Sequence, residues 1–221
     1  MKYEAKAWKE TEGACLRNFN EQAQIDSVNG ALALRPQIEK IIDQIWEEGF
    51  DGIYFIGIGG TYASSMQVEV YMRGRSKLPV FVENAAEFLT TGNKKFTNKS
   101  VVIISSVSGN TKEMVELVDR VHEKGAKVFS FIDNPGTTLT QPDKQDYLIV
   151  YPMNEQLKFY MVANYLMYKN GEFDDYDRYN KEMEANLADV LAQVEKDSDE
   201  WAYEYAKNKV AFWIFPDTSA I

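Results

Sequence analysis

Four compact apolar runs, Gly52–Ile58, Leu78–Val82, Val101–Ser105 and Lys127–Ile132, recur at intervals of roughly 20–25 residues, and a fifth, Asp146–Tyr151, follows sooner. Runs that are apolar at nearly every position suit strands buried on both faces of a parallel sheet, because an amphipathic strand would alternate. Helix-length amphipathic segments fill the gaps: Ala63–Arg73, Asn110–Lys124 and a shorter one near Thr137–Gln141. Strand and helix alternating in this way predict a doubly wound α/β layer fold with right-handed crossovers.

The flanks differ from this pattern. Residues 1–30 read as an N-terminal arm or a loosely packed helix. Leu34, Ile38, Ile41, Ile42 and Ile45 recur at helical spacing and predict a helix over Leu32–Glu48, with Pro36 in its first turn and Gly49 as its C-terminal cap. Beyond the fifth run, Asn154–Tyr168 and Tyr179–Lys207 predict two helices joined by the acidic loop Gly171–Asp177. A final aromatic run, Val210–Phe215, predicts a strand. An exposed apolar strand invites aggregation unless it is paired. It could join the first sheet, pair across a subunit interface, or open a second α/β unit.

Composition narrows the classes of function. The 221 residues carry a net charge of −10, from 34 acidic and 24 basic residues, and no Lys/Arg stripe is long enough to follow a nucleic-acid backbone. No apolar run approaches the roughly 18 residues of a membrane helix. The first residues are polar and charged where a signal peptide would be apolar. A single cysteine, Cys15, makes no internal disulfide, as expected in the cytoplasm. One Cys and one His exclude a conventional zinc site. An anionic ligand would have to be held by local groups against the overall field.

Ligands of open α/β sheets bind outside the carboxyl ends of the strands, so the loops after the first and third runs matter most. The first reads Gly57-Ile58-Gly59-Gly60-Thr61-Tyr62-Ala63-Ser64. Its glycines allow close backbone approach, and the following helix starts with unpaired amides at its positive end. A dinucleotide fold would use such a turn with an acid after strand two, where Glu83 stands, but its third glycine falls on Tyr62. Another anion site and a merely tight turn are the other readings. The second loop, Ser105-Ser106-Val107-Ser108-Gly109-Asn110-Thr111-Lys112-Glu113, packs hydroxyls, a glycine and a helix start together. It lacks the P-loop pattern and reads as a neutral phosphate cradle. The competing reading is a well-capped helix with Ser108 or Asn110 as N-cap.

Ser106-Val107-Ser108-Gly109-Asn110-Thr111 resembles the S-x-S-G-x-T signature of the sugar isomerase (SIS) phosphosugar-binding domain. Gly59-Gly60-Thr61-Tyr62, Glu83-Asn84-Ala85-Ala86-Glu87-Phe88 and Asn134-Pro135-Gly136-Thr137-Thr138-Leu139 resemble that family's loops after strands one, two and four, in order. The chain looks most like the N-terminal lobe of fructosamine-6-phosphate deglycases, which are similar to the isomerase domain of glucosamine-6-phosphate synthase. The resemblance implies a flavodoxin-like three-layer sandwich with a five-stranded parallel sheet over residues 31–170. It also implies a homodimer or higher homo-oligomer, and a sugar 6-phosphate gripped by Ser106, Ser108, Asn110 and Thr111, with Gly60 and Thr61 lining the sugar. No metal or organic cofactor is expected, because the substrate's own carbonyl or imine can stabilise an enamine-like intermediate.

The resemblance stops at the catalytic groups. Related enzymes carry a Glu/His segment in a second lobe, and residues 171–221 read as a helical linker followed by the start of such a lobe. The catalytic residues are therefore unassigned. His122 reads as a surface residue at a helix end. Glu87, Glu155 and Lys158 are candidates for acid/base work, with Glu87 better read as structural and Lys158 as a solvated charge. Tyr160, Tyr165 and Tyr168 read as packing or dimer contacts. The expected function is a phosphosugar-binding domain of a deglycase or isomerase, with a non-catalytic phosphosugar sensor as the alternative. A flavodoxin-like or dinucleotide-binding domain is the weakest reading.

Overall fold

The computed structural model describes residues 21–186 together with 189, 190 and 193. Two units are separated: one spans residues 31–176, and the other includes residues 21–30 and the helical residues 177–186. Helix α1 (Glu21–Leu32) crosses the boundary between them.

The larger unit is a five-stranded, wholly parallel sheet in the order β2-β1-β3-β4-β5. In chain order it contains α2 (Arg35–Glu48), β1 (Gly52–Gly57), α3 (Gly60–Arg73), β2 (Val80–Asn84), α4 (Ala85–Thr91), β3 (Ser100–Ser106), α5 (Lys112–Lys124), β4 (Lys127–Ile132), β5 (Tyr147–Val150) and α6 (Glu155–Lys169). This is the flavodoxin-like order, and its switch point lies between β1 and β3. The two glycine- and hydroxyl-bearing loops therefore leave the sheet on either side of that point.

The central strands are the most apolar runs because both of their faces are covered. All residues of β1 and β3 are buried, and so are five of the six residues of β4. On one face Tyr54, Ile56, Val102, Ile104 and Val128 pack against Met114, Leu117, Val118 and Val121 of α5. On the other, Phe55 and Phe131 meet Phe159 of α6, with ring centroids 5.3 and 6.0 Å apart. Strand β2 lies at the sheet's edge and is half-buried at each of its five residues. It starts two residues later than the run Leu78–Val82, extending into the polar Glu83 and Asn84.

Three local differences from the sequence reading have clear physical causes. The helix expected over Leu32–Glu48 starts at Arg35, with Pro36 in its first turn and Gly49 at its C-cap, and a separate helix, α1, ends at Leu32. Pro36 cannot donate to the carbonyl of Leu32 and would clash with it, which separates α1 from α2. The segment near Thr137–Gln141 is a single 3₁₀ turn, Thr138–Thr140, that buries Leu139. Helix α4 was absent from the sequence reading. Asn84 caps it by accepting from the amides of Ala86 and Glu87 at 3.0 and 3.4 Å.

After α6 the connecting loop is shorter than Gly171–Asp177. Residue 176 is already helical, and the Tyr176 ring lies 4.8 Å from Tyr168 and 5.5 Å from Tyr165. Each tyrosine of α6 thus makes an intramolecular ring contact, with Tyr160 lying 5.0 Å from Tyr71. The expected strand Val210–Phe215 and most of the expected helix Tyr179–Lys207 lie outside the described residues. No described helix is long and apolar enough to cross a membrane.

Candidate functional site

The loop after β1 is drawn tightly back onto its own strand. A Cβ on Gly57 would come within 2.5 Å of the Tyr62 nitrogen, so only glycine lets α3 start this close to β1. Thr61 Oγ1 donates to the carbonyl of Ile58 and accepts from its amide, both at 3.1 Å. Ser64 Oγ donates to the Gly60 carbonyl at 3.2 Å.

The loop after β3 is more elaborate. Ser106 Oγ accepts from the Gly109 amide at 3.1 Å, and Ser108 Oγ accepts from the Asn110 amide at 3.2 Å. Ser108 Oγ and Thr111 Oγ1 lie 3.0 Å apart. Gly109 has φ +63, and a Cβ there would also overlap Thr137 Cβ at 2.6 Å, so this position requires glycine. The loop is latched from the β4 side. Asn134 Nδ2 donates to the Val107 carbonyl at 2.6 Å, and Leu139 donates its amide to the Gly109 carbonyl at 3.0 Å.

Helix α5 begins directly after this loop. Its N-cap is Thr111, not Ser108 or Asn110, and the Thr111 side chain makes no capping hydrogen bond. The first amides of a helix generally lack an intrahelical acceptor, although in α5 the Met114 amide donates to the Thr111 carbonyl at 3.0 Å. The turn therefore presents donors and the positive end of the helix dipole to whatever occupies the space above it.

That space is a cleft of about 830 Å³, a size typical of small-molecule sites. Of the six residues expected to bind, Gly60, Thr61, Ser106, Ser108 and Thr111 line it. Asn110 does not: its Oδ1 accepts from the amide and hydroxyl of Thr138 at 2.9 and 2.8 Å, bracing the loop. Ser64, Ser105, Asn134, Asn154 and Gln156 also line the cleft; the first three stand in the loops that the sequence singles out, without a binding role there, and the last two stand in no such loop. Glu155 is the single charged lining residue, so the cradle itself is neutral. Hydroxyls and helix amides can hold a phosphate dianion without a guanidinium, as an acidic chain requires.

The remaining candidates separate clearly. Glu87 is exposed in the first turn of α4 and is not in the cleft wall. His122 sits at the far end of α5, where its Nε2 lies 3.1 Å from Asp146 Oδ2. Lys158 is not a solvated charge. It is fully buried, donating to the Tyr151 carbonyl at 2.9 Å and facing Asp133 Oδ1 at 3.5 Å. Burial holds its ammonium below the ordinary lysine pKa, while the carboxylates of Asp133 and Glu155 oppose that shift.

The same aspartate secures the β5–α6 turn. Asp133 Oδ2 accepts from the Met153 amide at 2.9 Å. Met153 and Asn154 both adopt left-handed backbone, with φ 61 and 58, which side-chain-bearing residues keep only when their surroundings enforce it. The buried Lys158–Asp133 pair thus fixes the turn that carries Asn154, Glu155 and Gln156 into the cleft wall.

A match to the SIS domain family covers residues 50–169, more than half of the chain. The chain belongs to the SIS domain family. Its SIS domain is similar to glutamine–fructose-6-phosphate aminotransferase (isomerizing) from Fusobacterium nucleatum, with 26% identity over 67% of this chain and 27% of that protein. In structure it resembles a candidate phosphosugar isomerase from Salmonella typhimurium LT2, at TM-score 0.67 and 24% identity over 77% of this chain and 55% of that one. It also resembles an Escherichia coli CFT073 protein in complex with A5P, at TM-score 0.56 and 17% identity over 72% of this chain and 90% of that one. The SIS chain thus spans about a quarter of the length of the aminotransferase and about half that of the Salmonella protein.

Proposed function

We propose that this SIS domain binds a sugar 6-phosphate, with the phosphate held by Ser106, Ser108, Thr111 and the first-turn amides of α5, and the sugar lying toward Gly60 and Thr61. The observation that carries the reading is the convergence of these residues on one cleft, whose single charged lining residue is Glu155, above a helix N-terminus with no side-chain cap. The likeness to an isomerizing aminotransferase that takes fructose 6-phosphate by name supports the same class of ligand. On this reading the chain is the phosphosugar lobe of a cytoplasmic, homo-oligomeric deglycase or isomerase. Its substrate would be an amino-sugar or glycated amino-acid 6-phosphate, as in fructosamine-6-phosphate deglycases. The alternative reading, a single-lobe phosphosugar sensor without catalysis, takes the same class of ligand, and the likeness to a chain in complex with A5P supports that class.

Calorimetric titration of the 221-residue chain with fructose 6-phosphate, and with fructose as control, tests the shared claim. Saturable binding of the phosphorylated sugar alone is expected. Equal heats from both sugars, or none from either, would refute the assignment.

A further inference from the structure

Six hydroxyl-bearing residues line the cleft: Thr61, Ser64, Ser105, Ser106, Ser108 and Thr111. Five of them have hydrogen bonds within their own loops or helix. Ser105 does not. Its side chain is 1% exposed, and its Oγ has no hydrogen-bond partner among the described residues. A buried hydroxyl left unpaired costs free energy, and of the three such hydroxyls among the described residues, those of Tyr54, Ser105 and Ser130, only Ser105 belongs to a residue lining the cleft, where a bound ligand can supply the partner.

The register says which part of the ligand that partner is. Successive strand residues point to opposite faces. Ser106 supplies a hydroxyl to the cradle loop, whereas Ser105 pairs with Phe131, whose ring meets Phe159 of α6. Ser105 therefore borders the cleft from the α6 side of the sheet, the face opposite the phosphate cradle. A phosphate seated on Ser108 and Thr111 leaves the carbon chain of the ligand to run past Ser105. We propose that Ser105 is a sugar-recognition residue, its hydroxyl exchanging a hydrogen bond with a hydroxyl or carbonyl oxygen of the bound sugar phosphate. This inference rests on the phosphosugar reading above and adds a subsite specific for the polyol part.

The test compares the parent with Ser105→Ala, titrating each with inorganic phosphate and with fructose 6-phosphate. Ser130→Ala serves as control. Ser130 also has a buried hydroxyl without a partner, but it lies in register with Ile104, which packs on the α5 face, and it does not line the cleft. Ser105→Ala should weaken fructose 6-phosphate binding roughly three- to tenfold, leave inorganic phosphate binding unchanged and give a thermal midpoint no lower than the parent's. Ser130→Ala should leave both affinities unchanged and likewise give a thermal midpoint no lower than the parent's. Unchanged fructose 6-phosphate affinity in Ser105→Ala, with phosphate still bound, would overturn the Ser105 assignment alone. An equal loss for both ligands would also overturn it, by placing Ser105 in the cradle. A parent that binds neither ligand would overturn the phosphosugar reading and this inference with it.

Discussion

Ser108→Ala combined with Thr111→Ala is expected to weaken fructose 6-phosphate binding by at least about a hundredfold, because hydrogen bonds to a charged phosphate contribute roughly 1.5–3 kcal/mol each. The fold should survive almost intact. Ser108 is exposed, and the two hydroxyls pair chiefly with each other. Thr111 stands at the N-cap of α5 but makes no capping hydrogen bond, so its removal forfeits little helix stability. A loss of about 1 kcal/mol or less in urea unfolding is expected alongside the collapse in affinity. Parental affinity in the double variant, with the chain folded, would place the phosphate elsewhere.

The second large effect is on stability. Lys158→Met should destabilise the protein by about 3 kcal/mol, since removing one partner strands the other charge in the interior. Asp133 is 7% exposed and would keep only the Met153 amide of its cross-loop partners. Adding Asp133→Asn to Lys158→Met should recover at least about 1 kcal/mol, because a neutral amide can still accept from Met153 and no buried charge remains. Urea titrations of the two single variants and the double variant measure that coupling. If Lys158→Met were as stable as the parent, or the effects simply added, the pair would not be the anchor of the β5–α6 turn. Sugar-phosphate affinity should fall with Lys158→Met as well, because Asn154, Glu155 and Gln156 enter the cleft from that turn.

What was legible in the sequence follows from where the information lies along the chain. Strands β1, β3 and β4 are continuous apolar runs because they are buried on both faces. The hydroxyls of the cradle stand within a few residues of one another, so one loop carries their chemistry. Edge strand β2 is shifted because exposure on one side admits Glu83 and Asn84. Helix α4 has seven residues, too few for periodicity, although Asn84 with Glu87 three positions later is a capping signature that marks its start. The role of Lys158 was hidden for another reason. A lysine close behind Glu155 and Gln156 in the first turn of a helix looks like a surface residue until the sheet brings up Asp133, 25 positions away. Ser105 and Asn134 lie in loops the sequence marks, but Asn154 and Gln156 come from the β5–α6 turn, which carries no motif, and the four reach the cleft from three different strand ends. Only the parallel register assembles them.

The central claim is that phosphate sits over the start of α5. Amide chemical-shift mapping during titration with fructose 6-phosphate, against fructose as control, reads that location directly. The account predicts the largest shifts at Ser106–Glu113, with smaller ones at Gly60 and Thr61, and none of them with fructose. Shifts confined to other residues, or the same shifts with the unphosphorylated sugar, would contradict it.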